Sequence, residues 1–290
     1  EPFLEEAPPR GFFAFPRGTR SGICLHALLE SLDFTDPSPD ALCPRVRETL
    51  QEHGFDATWE PDVTRMLQVV LTIPLDPSDP GLRLERLSLH DRLNELAFTF
   101  PLNPISVQAL REVLARHAGQ ALPQTLPDRI GRLRFAPVRG FMRGFIDLVF
   151  QHNNRFYLVD WKSNDLGTTP DHYAPERLQK AMLDHLYPLQ YLIYTLALDR
   201  YLALRIPGYR YETHFGGVFY VFLRGVDPAR GAGSGVIQDR PPASMVRDLR
   251  QALIPKNSSS SDHTGGTRMN GVDGPRCASE RRWTKQEDEP

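Results

Sequence analysis

Cysteine is scarce in this chain of 290 residues, where only Cys24, Cys43 and Cys277 occur. An odd number of cysteines at wide spacing argues against a disulfide framework. Three scattered thiols also fall short of the four thiolates that bind an iron–sulfur cluster. We therefore expect neither structure, and we expect a reducing, cytoplasmic compartment.

Long apolar runs are missing as well, since none reaches the roughly 18 residues that predict a membrane span. The first ten residues, EPFLEEAPPR, lack the basic start and the apolar core of a secretory signal. No G-x-x-x-x-G-K-[ST] phosphate loop occurs, so we expect no ATP hydrolysis by this chain itself. The chain also begins without Met, which fits a fragment of a longer protein and a trimmed chain equally.

Charge of one sign is not in excess, because the formal net charge is -2. Bulk electrostatics therefore do not indicate nucleic-acid binding, although a basic groove can exist on a neutral protein. The patterning predicts three regions. Residues 1–20 are expected to be an irregular linker from a missing N-terminal region, and residues 21–254 a folded domain. Residues 255–290 have almost no periodic apolar residues and are expected to be a disordered tail.

Secondary structure is predicted from the spacing of apolar residues. Ser21 and Ser106 are expected helix N-caps, and Pro188 is expected to break a long helix. Strands mixed with helices predict an α/β or α+β domain with a mixed central sheet flanked by helices. The predicted helices cover 21–30, 44–53, 62–71, 106–118 and about 174–204. The predicted strands lie within 82–102, 144–163 and 214–225, with loops at 33–40 and 119–139.

The segment 144–163, GFIDLVFQHNNRFYLVDWKS, places acidic residues in two otherwise apolar runs. Asn153 and Asn154 favour a two-residue hairpin turn, since Asn tolerates positive φ. That turn places Asp160 opposite Asp147, about 5 Å apart on one face. Lys162 follows two residues later and is expected to project from the same face.

Two carboxylates at that separation repel by roughly 3 kcal/mol at an effective dielectric near 20. Three arrangements would relieve the repulsion: a shared proton, an ion pair with Lys162, or a divalent cation that bridges both oxygens. A fourth interpretation is an ordinary surface pair of Asp160 with Lys162 at a strand end, with Asp147 solvating another strand end. The hairpin alone leaves these alternatives open.

Five short motifs occur in one order across residues 18–243. They are G-x-x-x-H-x-x-x-E at Gly22, His26 and Glu30, E-x-x-F at Glu95 and Phe98, G-x-x-D at Gly144 and Asp147, D-[YW]-K at Asp160 to Lys162, and Q-x-x-x-Y at Gln190 and Tyr194. Together they resemble the RecB-type nuclease domains of the PD-(D/E)xK nuclease superfamily, and the late strand HFGGVFYVFLRGVD is also RecB-like. The sequence departs from the usual pattern at Trp161, where Tyr is commoner.

The resemblance implies a restriction-endonuclease-like core with a metal site. It assigns His26, Asp147, Asp160 and the backbone carbonyl of Trp161 to one Mg²⁺ ion, or to a site with two ions. The oxygen donors among these ligands suit Mg²⁺. Trp161 itself is expected to point away from Asp160, to the opposite face of the strand.

The remaining roles are also implied by the resemblance. Lys162 would position or activate the attacking water, and Glu95 would orient the site or serve a second metal. Gln190 and Tyr194 share a helix face and would line a DNA channel. Glu30 is equally well explained as an ordinary acid on a helix surface.

The implied function is a Mg²⁺-dependent exodeoxyribonuclease, the nuclease part of a RecBCD helicase–nuclease that acts in double-strand-break repair by recombination. Single-stranded DNA ends are the expected substrate, cleaved largely without sequence preference because such sites contact the backbone. RecC-like and RecD-like subunits are the expected partners, and ATP would serve only a missing helicase portion. The alternatives are a catalytically silent or gated DNA-binding module of the same complex, a stand-alone nuclease with an iron–sulfur cluster, and an unrelated metal or aspartate-dyad enzyme.

Overall fold

A mixed five-stranded sheet forms the centre of the computed structural model, which describes residues 11–135 and 138–255. The strands are β1 (Arg92–Ile105), β2 (Val138–His152), β3 (Arg155–Lys162), β4 (Phe215–Phe222) and β5 (Val236–Asp239), adjacent in that order. Only β3 and β4 pair in parallel, and the other neighbours are antiparallel. The predicted mixed sheet is therefore confirmed.

Helices cover both faces of the sheet, which gives three layers. On one face lie α1 (Thr19–Ser31), α2 (Pro39–Glu52) and α3 (Glu60–Thr72). The other face carries α4 (Val107–Ala115), α5 (Leu126–Gly131), α6 (Pro175–Asp184), α7 (Tyr187–Arg205), α8 (Tyr211–His214) and α9 (Ala243–Leu253). Among the described residues, none of the helices combines the length and apolarity needed to cross a membrane.

The helix predictions hold in position, with corrections at the ends. Ser21 is not an N-cap, because α1 begins two residues earlier and buries Ser21 inside its first turn. Ser106 does cap α4 and accepts a hydrogen bond from the Ala109 amide at 3.2 Å. The predicted long helix is two helices, separated at Leu186, whose φ of 56° is left-handed; Pro188 lies in the first turn of the second.

Two loop and strand predictions were wrong in extent. The strand predicted from residue 82 begins only at Arg92, because a 3-10 turn occupies Leu84–Arg86. Residues 119–139 are not a plain connector, since they contain α5 and the start of β2. The short strand β5 lay in no predicted element. Of the predicted tail, residues 256–290 lie outside the described part of the chain.

The β2–β3 hairpin forms as predicted. Asn153 and Asn154 have φ values of 48° and 60°, which is the left-handed pair that a tight hairpin turn requires. The strands pair from His152 opposite Arg155 to Leu148 opposite Val159, in the predicted register. The catalytic residues implied above therefore lie just past the open end of this ladder.

The predicted linker is partly structured within its described residues, 11–20. Arg224 is buried, and its guanidinium donates to the carbonyls of Phe12, Phe13, Phe15 and Pro16 at 2.8 to 3.4 Å. Phe15 is itself buried in the core. The domain boundary at residue 20 stays a prediction, but this segment is fastened to the end of β4.

Two motif residues have a packing role. Phe98 of β1 lies directly opposite Gly144 of β2, and its ring covers the glycine. The same ring stacks on Phe100 and meets Tyr194 edge-on, each at a centroid distance of 5.8 Å. The absence of a Cβ at Gly144 leaves room for the Phe98 ring, and through this ring β1 contacts α7. Helix α7 carries two of the predicted site residues.

Replacing Gly144 with Ala should lower the free energy of unfolding by about 1–3 kcal/mol, as overpacking typically does. The added Cβ would lie 2.5 Å from the Phe98 Cζ atom. Urea unfolding measures the loss. A double variant that also carries Phe98→Leu should lose less than the two single losses combined, since the residues are in contact. Fully additive losses would show that the Gly144–Phe98 contact is not the cause.

Candidate active site

A cleft of about 490 Å³ opens where β3 ends, between α1 and the start of α7. It brings together every predicted site residue except Glu95. The residues that line it are Gly18, Thr19, His26, Asp147, Asp160, Trp161, Lys162, Ser163, Asn164, Asp165, Tyr187, Gln190 and Tyr194.

Helix α1 carries His26 to the end of β3. The helix buries Cys24, Leu25 and Leu28 against the sheet, which leaves His26 on a half-exposed side. Gly22 permits the approach, because a Cβ there would lie 3.1 Å from the Ser163 hydroxyl.

Both ring nitrogens of His26 face acceptors. Nε2 donates to the Trp161 carbonyl at 3.1 Å, and Nδ1 lies 3.5 Å from Asp147 Oδ1. Burial opposes the charged ring, but the hydrogen bond and charge of Asp147, together with Asp160, outweigh it and raise the pKa of His26. Protons therefore compete with a metal for this ring up to a higher pH than at an ordinary histidine.

Asp147 lies where the β2–β3 ladder ends. The last paired residues are Leu148 and Val159, one position before the predicted Asp147–Asp160 pair. The Asp147 carboxylate instead accepts a hydrogen bond from the Trp161 amide at 2.8 Å. A side-chain oxygen thus takes the place of the β2 backbone carbonyl that would accept this bond in a longer ladder. This bond holds the carboxylate beside the Trp161 carbonyl and His26.

Asp160 and Lys162 form an ion pair inside the protein. Their side chains are only 3% and 11% exposed, so the interpretation as a surface pair is wrong. Burial is the largest influence on Asp160 and raises its pKa to about 6; Lys162 opposes this rise, and the charge of Asp147 adds to it. Of the three proposed remedies for the acidic pair, the structure contains the ion pair.

Lys162 is held by a cage of α7 and β4 side chains. Its ammonium donates to Gln190 Oε1 at 3.0 Å and lies 3.9 Å from the ring centroid of Tyr187 and 5.0 Å from that of Tyr220. The Tyr220 hydroxyl donates to the same amide oxygen at 3.0 Å, and the Gln190 amide donates to Tyr194 at 2.9 Å. These contacts fix the direction of the ammonium group.

Comparison with known proteins identifies the family of this chain. The profile of the PD-(D/E)XK nuclease superfamily matches residues 13–254. The chain belongs to the PD-(D/E)XK nuclease superfamily. It is 42% identical to the RecBCD enzyme subunit RecB of Escherichia coli over 232 residues, which is 80% of this chain and 19% of that protein.

Other RecB subunits give the same result. Identity is 39% to that of Haemophilus influenzae, across 81% of this chain and 18% of the relative. It is 34% to that of Mycolicibacterium smegmatis, across 82% and 24%. The predicted resemblance and the restriction-endonuclease-like fold class are confirmed. This chain spans about a fifth of the length of these relatives.

PD-(D/E)XK nucleases typically use divalent metal ions, and the chemistry of the donors here fits one. Two carboxylates and a backbone carbonyl lie close together and supply the oxygen donors that suit a hard cation, and an imidazole lies beside them. Within residues 11–135 and 138–255, however, no three His, Cys, Asp or Glu side chains already stand at metal-binding spacing. In their present positions His26 contacts Asp147 and Asp160 contacts Lys162, so metal binding would exchange these contacts for an ion.

Glu95, the remaining superfamily motif residue, stands apart from the cleft. It is exposed on β1, and the register on either side places it opposite Asp147. Its φ of 50° is left-handed, which is unusual within a strand. It contacts Glu30, whose pKa is raised by partial burial and then by the charge and hydrogen bond of Glu95. Its role as a catalytic or second-metal residue stays a prediction.

Sequence reasoning missed the aromatic part of the cage. Tyr187 lies at the start of α7, and Tyr220 is the parallel-register partner of Asp160 in β4. The only sequence signal was their closeness to the Q-x-x-x-Y motif and to the RecB-like late strand. Nothing in the local pattern distinguishes such tyrosines from core residues, because the contact depends on how β4 pairs with β3.

Proposed function

We propose that this chain is the nuclease domain of a RecBCD-type helicase–nuclease and hydrolyses DNA phosphodiesters with Mg²⁺. The observation that carries this proposal is the convergence of Asp147, Asp160 and Lys162 in one cleft, in a PD-(D/E)XK chain similar to RecB. Residues 21–254 would form the nuclease domain, residues 1–20 the linker to a helicase portion, and residues 255–290 a disordered tail.

The metal-binding residues would be His26, Asp147, Asp160 and the Trp161 carbonyl. When bound, the ion would supply Lewis-acid chemistry that activates water and stabilises negative charge on the phosphate. Asp147 is already oriented by the Trp161 amide. Only the unprotonated ring of His26 can be a ligand, so the site should bind metal more weakly at low pH.

Lys162 would act on the reacting groups as a positive donor. Its ammonium can hold the attacking water or a phosphate oxygen, and charge near the developing negative charge lowers the barrier. Gln190 would be a positioning residue, because its amide oxygen accepts from Lys162 and Tyr220. The predicted role of Gln190 and Tyr194 in lining the DNA path is compatible with their place in the cleft wall.

Single-stranded DNA ends are the proposed substrate, with little sequence preference, since the cleft offers groups for a phosphate backbone. RecC-like and RecD-like subunits are the proposed partners, and the cytoplasm the proposed location. ATP would be used only by a helicase portion, in keeping with the missing phosphate loop. Repair of double-strand breaks by recombination would be the biological role.

End-labelled linear single-stranded DNA tests this function directly. The chain should degrade it with Mg²⁺, stop on addition of EDTA, and treat two unrelated sequences at similar rates. Equal cleavage with and without metal would contradict the proposed chemistry. Binding without cleavage by the folded chain would favour the gated or silent DNA-binding module instead.

A further inference from the structure

The β1–β2 ribbon carries a row of exposed side chains beside the cleft. β2 pairs with β3 only through residues 148–152, so its earlier part pairs with β1 beyond the limit of β3. On one side of this ribbon Phe141 is 70% exposed and Phe145 is 56% exposed, and Arg143 between them is exposed too. Two of the six large apolar side chains that are exposed in the described residues therefore lie on one short stretch of strand.

Strand alternation explains why these three residues share a face. The residues between them, Met142 and Gly144, turn to the opposite face, where the ribbon packs on the core. The neighbours across the ladder are small or compact: Pro101 opposite Phe141, Thr99 opposite Arg143, and Ala97 opposite Phe145, all exposed. Such neighbours leave the flat faces of both rings open to a planar ligand.

The row points to the catalytic groups. Two residues beyond Ala97 and Phe145 along the ribbon lie Glu95 and Asp147, which are not paired in the ladder, and Asp147 lines the cleft. Alternate residues along a strand are about 7 Å apart, so the distance along β2 from Asp147 to Phe141 is about 20 Å. The three cross-strand pairs hold one cation, Arg143, and no carboxylate. The next positions hold Asp147 in the cleft and the exposed Glu95 outside it.

We propose that Phe141, Arg143 and Phe145 form a stacking platform that binds single-stranded DNA and leads it to the cleft. The proposal rests on the proposed nuclease function and adds to it the surface that binds the strand. Aromatic rings that stack on bases, with a cation between them for the backbone, are the means by which proteins bind single strands without reading sequence. A protein partner would also cover exposed rings, but it would not require the row to end at the catalytic carboxylate.

The test is the affinity of the 290-residue chain for oligothymidylates in EDTA, where metal-dependent cleavage is off. Two lengths are needed, about 4 nucleotides to occupy the cleft alone and about 15 to reach the platform. Phe145→Ala and Phe141→Ala should each weaken binding of the longer strand by about 5-fold or more. Binding of the shorter strand should change little. Arg143→Gln should lower the slope of log Kd against log salt by about 0.7.

Matched variants separate stacking from loss of fold. Leu204 is 83% exposed at the far end of α7, so Leu204→Ala removes an exposed apolar side chain without touching the platform. It should bind both lengths like the unaltered chain. Phe145→Trp keeps a ring, so it should restore affinity, and its added fluorescence should be quenched by the longer strand.

The outcomes distinguish this proposal from the nuclease function. Mg²⁺-dependent cleavage with unchanged affinity in the Phe variants would overturn the platform and leave the nuclease standing. Length-dependent binding that the Phe variants lose, without any cleavage, would support the platform and overturn the nuclease. If the Phe variants bind DNA normally but fail to join the helicase portion, the row is a protein interface and the proposal is wrong.

Discussion

Replacing Asp160 with Asn should abolish Mg²⁺-dependent cleavage, by about 10³-fold or more, while making the metal-free fold more stable. Asp160 is a proposed metal ligand, and a neutral amide lacks the negative charge with which a carboxylate binds the cation. The stability gain follows from burial, which raises the pKa of this carboxyl from 3.8 to about 6. A buried group whose charged form is disfavoured destabilises the fold once it ionises, and an amide never ionises.

The sign of the pH dependence is fixed by that shift. Because the folded pKa lies above the unfolded one, the unaltered chain loses stability as pH rises from about 4 to about 6. The Asn variant should therefore be more stable by about 1–3 kcal/mol at pH 8, with the difference shrinking below pH 6. Urea unfolding in EDTA at pH 8 and pH 5 measures it. A variant that is less stable at pH 8 would mean that the Lys162 ion pair outweighs the burial.

Asp171→Asn is the matched control for this substitution. Asp171 is 82% exposed and pairs only at the surface with Arg230, among the contacts of the described residues. Surface pairs contribute little to stability. This control should cleave DNA at the unaltered rate and change the free energy of unfolding by less than about 0.5 kcal/mol.

Replacing Lys162 with Ala should slow the chemical step by about 10²–10⁴-fold while leaving a metal site. Lys162 offers no lone pair to a metal when charged, so the proposed ligands remain. Its attraction and hydrogen bond lower the pKa of Asp160, so their loss should raise that pKa further. The rising limb of the pH–rate profile should therefore move to higher pH.

Single-turnover cleavage against pH, with calorimetric titration of Mg²⁺, measures both parts of this prediction. Lys180→Ala is the matched control, since Lys180 is 72% exposed and pairs with Asp184 on the surface of α6. Loss of Mg²⁺ binding in the Lys162 variant, with normal rates in the control, would assign Lys162 a structural pairing role instead of a catalytic one.

Local chemistry made the hairpin predictable. Two Asn residues that tolerate positive φ fix the turn, and a turn of known length fixes which residues face each other. The alternation of β3 likewise places Trp161 in the core and Asp160 on the other face. His26 could be connected to this hairpin only through the resemblance, because no local pattern links a helix to a strand 135 positions away.

The wrong predictions arise for the same reason, because local sequence patterns do not reveal contacts between distant elements. The segment from residue 82 alternates like a strand. Leu84 and Leu87 nevertheless lie in a turn and are buried against the layer formed by α1, α2 and α3. Apolar spacing records burial and does not reveal which backbone shape achieves it. The cage around Lys162 was hidden for a similar reason, since Tyr187 and Tyr220 meet the lysine only after two distant elements have packed.

The parallel pairing of β3 with β4 also sets when the active site can exist. The pairing begins at Phe156 of β3 and Phe215 of β4. Helices α6, α7 and α8 lie between the two strands in the sequence, so β3 can pair with β4 only after these helices have been synthesised. Chains are synthesised at about 5–20 residues per second, and such non-local pairings form late in folding. The Lys162 cage needs Tyr220, so a growing chain that already holds both carboxylates still lacks the finished cleft. It follows that the proposed cutting ability can appear only after β4 has been synthesised and has paired with β3.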